Sequence, residues 1–168
     1  MKRSTRLVDI RDITVLALLA AVMVAQQVAL SGLLNVELVT MLIILATVHL
    51  GWKVMFSVAV FIILEGMIYG LGMWWLNYLY VWPVLVCIVM ALRKYSHPVL
   101  WAVVAGLYGL LFGLLCSVPY FLTGGWAAGI AYIIAGIPYD ITHCIGNTVL
   151  TALLFYPLDR VFARCVKA

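Results

Sequence analysis

Apolar residues run along this chain in long unbroken stretches, separated by short clusters of glycine, polar and basic residues. The stretches near 12–31, 36–50, 54–71, 75–92, 98–120 and 137–157 are continuously apolar rather than alternating, which predicts helices and not the strands of a barrel. About 20 apolar residues cover a hydrocarbon layer of roughly 30 Å, so the pattern predicts six transmembrane helices in one bundle. The second stretch is short for a span. The connections are brief except for Tyr120–Gly136, which has room for a short interfacial helix around Trp126–Ala135. No repeat or composition boundary divides residues 1–168, so a single all-α membrane domain is expected.

Composition gives the same reading. Of the 168 residues 67% are hydrophobic and 10% charged, with a mean hydropathy of +1.20, whereas soluble domains carry roughly 45–50% apolar and about 25% charged residues. Too few charged groups are present to coat a water-soluble globule, and the same scarcity excludes a disordered segment and a nucleic-acid-binding domain.

The basic residues set an orientation. Lys2, Arg3, Arg6 and Arg11 precede the first span, Lys53 follows the second, and Arg93 and Lys94 follow the fourth. Arg160, Arg164 and Lys167 follow the sixth. With six spans all ten Lys and Arg fall on one side, and the positive-inside rule makes that side, with both termini, cytoplasmic. The net charge of +4 then reflects topology and anionic lipid. No cleavable leader is evident. Cys87, Cys116, Cys144 and Cys165 lack C-x-x-C spacing and read as small apolar residues rather than a disulfide framework.

Polar groups inside spans are costly and therefore candidate functional residues. Asp140, His143 and Asn147 are spaced i, i+3, i+7 and share one helix face. Pro138 fits the first turn of the last span, which would leave Asp140 at the positive helix end. Such a face suits a pocket open to the exterior or a helix–helix hydrogen-bond seam. Glu65, about twelve residues beyond Lys53, reaches a similar depth and is suited either to a ligand or to pairing with His143. Trp75, Tyr78 and Trp82 form another i, i+3, i+7 face beside Pro83. Trp74 reads as an outer aromatic belt residue, and Trp52 and Trp101 as inner belt residues.

Metal, nucleophile and nucleotide readings have less support. Asp140 and His143 lack a third ligand, His143 and Cys144 point to different helix faces, and no phosphate-binding glycine loop is present. No catalytic residue, metal or cofactor is expected. On the first span, Ala17, Ala21, Ala25 and Ala29 recur every four residues and allow close helix approach, either within the bundle or to a partner. Gln27 lies opposite this stripe and faces the bundle interior if the alanines face outwards.

Over nearly its whole length the chain resembles the S components, the substrate-specific membrane subunits, of energy-coupling factor (ECF) vitamin transporters. The alanine stripe carries the resemblance together with Gly124-Gly125-Trp126, Gly136-Ile137-Pro138-Tyr139-Asp140, His143, Gly146-Asn147 and Pro157-Leu158. It implies a prokaryotic cell-membrane subunit that captures a vitamin or related micronutrient from outside. It also implies that the stripe docks on a transmembrane coupling (T) subunit carrying two cytoplasmic ATPases, which use ATP while this chain does not. Carried onto this sequence, the family's pocket puts Asn35 and Glu37 in a cap after the first span, with Trp75, Tyr78, Trp82, Trp126, Tyr139, Asp140, His143 and Asn147 in the wall. Glu65 joins them from its own position. Aromatic side chains favour a flat ring such as pyridoxine, riboflavin, a pterin or a thiamin-like compound, and a corrinoid remains open. The alternatives are a stand-alone proton-coupled carrier using Glu65, Asp140 and His143, and an intramembrane enzyme using Asp140 and His143.

Overall fold

The computed structural model describes residues 10–33, 35–95 and 97–167. Lys2, Arg3 and Arg6, counted above toward the orientation, lie outside them, as does the side chain of Lys167. Helix accounts for 89% of the structure, and the described residues contain no strand. The helices are α1 (Ile10–Ala29), α2 (Val39–Leu50), α3 (Val54–Tyr69), α4 (Met73–Leu92), α5 (Pro98–Leu110), α6 (Phe112–Cys116) and α7 (Val118–Lys167).

Among the described residues, four helical stretches are long and apolar enough to cross a membrane: Ile10–Ala29, Val39–Tyr69, Met73–Leu92 and Val118–Val166. The second is not one rod. Gly51, at φ 59° and ψ −138°, opens a short 3-10 turn (Gly51–Lys53) between α2 and α3. Positive φ costs glycine no Cβ clash, so the chain can turn there within three residues.

Helix α2 departs from the expected span. It has 12 residues, or about 18 Å, and ten of them are buried, including Thr40 and Thr47. A helix that is apolar on every side belongs either to lipid or to a core. This one is core, packed among α1, α3, α4, α5 and α7.

The expected span 98–120 is also revised. Helix α5 stops at Leu110, Leu111 (φ −96°, ψ 2°) leaves helical geometry, and α6 resumes at Phe112. Backbone bonds from Leu111 N–H to Leu107 and from Leu115 N–H to Leu111 carry the ladder through the bend. The chain then turns at Ser117 and starts α7, so residues 118–120 belong to a different element.

Helix α7 replaces the expected long loop. Its interruption at Gly125 (φ 72°, ψ −171°) makes a helical hairpin: Tyr120 stacks on Tyr132 with centroids 4.1 Å apart, and Phe121 packs against Gly129. The segment 126–135 is helical, as expected, but continuous with the last helix rather than separate from it. Pro138 therefore lies inside α7, and Asp140 is not in a first turn.

Three glycines set the approach of α5 and α6 to α7. A methyl group on Gly109 would lie 2.9 Å from the His143 carbonyl, one on Gly113 would collide with the Asp140 carboxylate, and one on Gly106 with Thr148. Small residues at such a seam let helix backbones come close. Trp101, expected at an interface, is fully buried and stacks on Phe155, whereas Trp52 is exposed.

The basic residues gather at one end. Lys53 pairs with Asp12, His49 Nε2 lies 2.7 Å from Asp159, and Arg11 donates to the carbonyls of Arg164 and Cys165. Arg93 lies beside Gly51. Large apolar side chains such as Leu18, Phe56, Ile63, Leu107 and Ile145 are exposed along the helix flanks, compatible with a multi-pass membrane protein.

Candidate functional site

At the end of the bundle remote from the basic residues, the last turns of α1 and α3 meet the first turns of α4. The loop after α1 folds over them, and α6 and α7 close the side. A cavity of about 420 Å³ lies between these elements.

The loop after α1 is anchored at both sides of the cavity. Glu37 Oε2 accepts the N–H of Thr40 at 2.8 Å, in the first turn of α2, where the positive end of the helix favours a carboxylate. Glu37 Oε1 lies 3.0 Å from His143 Nε2 on α7. Asn35 holds a left-handed backbone at φ 53°, a region that asparagine tolerates better than most residues, and its Nδ2 donates to the Tyr139 carbonyl at 3.1 Å. Gln26 Oε1 accepts the Leu38 N–H at 2.8 Å.

The floor and one wall are aromatic. Ring centroids of Trp74 and Tyr78 are 5.3 Å apart, as are those of Tyr78 and Trp82, and both pairs meet edge to face. Trp82 then contacts Phe112 on α6 at 5.7 Å, and Phe112 meets the His143 imidazole at 5.0 Å. This row of rings crosses from α4 through α6 to α7.

Several buried polar atoms on the cavity residues have no hydrogen-bond partner: Glu65 Oε1, Trp82 Nε1 and His143 Nδ1. Their residues are 2%, 2% and 3% exposed. Buried polar groups are almost always satisfied, so three orphans around one cavity are consistent with groups that a ligand would complete.

Of the residues singled out in the sequence, the structure brings Asn35, Glu37, Glu65, Tyr78, Trp82 and His143 to the cavity. Glu65 does not pair with His143, whose partner is Glu37. The other candidates lie elsewhere. Trp75 turns to α3, donating from Nε1 to the Ile62 carbonyl at 2.9 Å. Trp126 is 79% exposed on the hairpin, against Phe121. The Tyr139 side chain is exposed, and only its carbonyl engages the cap. Asp140 accepts the Gly113 N–H at 2.9 Å and so fastens α6 to α7. Asn147 is buried, away from the cavity, with its Nδ2 unpartnered. Of that i, i+3, i+7 face, His143 reaches the cavity while Asp140 joins the helix seam.

The cavity also takes in residues that were not among the binding candidates. Trp74 faces inwards rather than serving as belt, and Gln27 lines the cavity, as its position opposite the alanines suggested. Phe112 and Tyr132 had no separate signal: one sits inside a uniformly apolar run, the other in the connection expected to hold a short interfacial helix. Among the described residues no three His, Cys, Asp or Glu side chains converge as a metal site. The four cysteines are free. Ala17, Ala21, Ala25 and Ala29 are all exposed on α1.

No family model, curated protein or solved structure matches the chain.

Proposed function

We propose that this chain is the substrate-binding membrane subunit of an ECF-type transporter in a prokaryotic cell membrane. It crosses the bilayer six times with both termini cytoplasmic, α5 and α6 together forming one span and α2 a short central one. It captures a ring-containing micronutrient, such as a B vitamin, from outside. A transmembrane coupling subunit and two ATPases drive its delivery inwards, and the chain has no nucleotide site of its own.

The observation that carries this reading is the cavity at the end remote from the basic residues, walled by Tyr78 and Trp82 and bordered by buried polar atoms without partners. Its volume lies toward the lower part of the roughly 300–1,000 Å³ range of small-molecule sites, which suits one or two fused rings better than a macrocycle. Exposure of the alanine stripe supports a docking role, because the bundle does not use that face for its own packing. Small residues at this spacing favour another helix in lipid.

Mass spectrometry of small molecules released from the mildly extracted protein tests the reading, together with uptake into liposomes containing this chain alone. A bound micronutrient and no transport are expected. Accumulation driven by a pH gradient in the absence of any ATPase would favour instead a stand-alone carrier, for which the buried Glu37–His143 pair is the specific support.

A further inference from the structure

The charge of the cavity bears on the charge of its ligand, an inference that rests on the cavity being the substrate site. Two carboxylates border it, Glu37 and Glu65, and no Lys or Arg does. Glu37 has both oxygens engaged, one with His143 and one with the Thr40 N–H. Glu65 differs: it is 2% exposed and its Oε1 has no partner. A buried carboxylate oxygen in that state is costly until something donates to it.

His143 Nδ1 is another buried atom at the cavity without a partner, a donor or an acceptor according to the state of the ring. The intervening wall consists of Trp74, Tyr78 and Trp82, whose ring faces attract cations through their quadrupoles. Trp82 Nε1 is a buried donor without a partner at the cavity, and it suits a neutral acceptor such as an amide oxygen.

We propose that the cavity takes a small flat-ring organic monocation, with its positive nitrogen against Glu65 and its ring among Trp74, Tyr78 and Trp82, and that it rejects anionic rings. A ligand carboxylate or phosphate would meet two acidic side chains and no Lys or Arg, so discrimination comes from repulsion as well as attraction.

Three compounds sharing one pyridine ring test the charge directly: 1-methylnicotinamide (cation), nicotinamide (neutral) and nicotinate (anion). Binding to the purified full chain in lipid nanodiscs is followed by calorimetry. The cation is expected to bind at least about tenfold more tightly than the neutral ring, with the anion weakest, since a close charge pair at low effective dielectric supports at least that ratio. Glu65→Gln should bring the cation and neutral affinities to within about threefold, and Glu65→Asp should retain the preference. Equal or reversed affinities overturn the inference, as does a Glu65→Gln protein that keeps the full cation preference. A cationic ring compound released from the native protein supports it. A neutral or anionic one overturns it and leaves the substrate-capture reading standing. No released compound, together with no binding of the three probes, overturns both.

Discussion

The carboxylate of Glu37, on the loop after α1, lies 3.0 Å from His143 Nε2 on α7, across a sequence separation of 106 residues. Both side chains are buried. The contact ties the cap of the cavity to its far wall, so the loop after α1 and the middle of α7 move as one unit or separate together.

Breaking that pair from one side should therefore destabilise the protein. Removing one member of a buried pair typically costs about 3–5 kcal/mol in soluble proteins, because the group that remains is left buried without a partner. Glu37→Ala is expected to lower the thermal midpoint in detergent clearly more than Glu37→Gln, which still accepts from His143. Equal midpoints for the two variants would show that a hydrogen bond without the charge contributes little.

The glycine seam gives a second expectation. Gly109→Ala places a methyl group 2.9 Å from the His143 carbonyl, and α7 must shift to admit it. Overpacking of this kind costs about 1–3 kcal/mol and displaces His143 from the cavity wall. Gly32→Ala, which meets nothing within 4 Å, is the control and should be neutral. Thermostability followed by fluorescence-detected size exclusion distinguishes the two.

Orientation can be read with thiol chemistry. Cys165 is exposed near the basic end, and Gly32 is exposed on the cavity side. In intact cells, a membrane-impermeant maleimide should label a Gly32→Cys protein and leave Cys165 unmodified until the membrane is opened. The reverse pattern would invert the proposed topology.

Docking and binding should separate by mutation. Ala21→Leu or Ala25→Leu adds bulk to an exposed face of α1, away from the cavity, and is expected to abolish co-purification with a coupling subunit while leaving ligand affinity within about twofold, since close helix approach needs small residues. Loss of ligand binding in these variants would assign the stripe to the bundle's own integrity.

Much of the helical layout was legible along the chain because it depends on local periodicity. Continuous apolar runs placed α1, α3 and α4 to within a few residues, and Gly51 and Gly70 marked their limits. The cavity was legible in part. The Tyr78–Trp82 spacing and the costly residues Glu65 and His143 stood out by chemistry alone. Trp75 and Trp126 did not lead to it, because helical spacing identifies a shared face but not which neighbour that face meets.

The sequence by itself determined an apolar, helical chain with its basic residues segregated at the ends of the spans, since these properties follow from residue type and near-neighbour spacing. Tertiary packing decided the rest. It made α2 a buried core helix although its composition reads like a lipid-facing span, and it gave His143 to Glu37 while leaving Glu65 unpartnered. It also turned Asp140 into a fastening for Gly113. The physical reason is common to all three: an apolar side chain is equally at ease in lipid and in a packed interior, and a polar one bonds whichever group the folded backbone brings within about 3 Å.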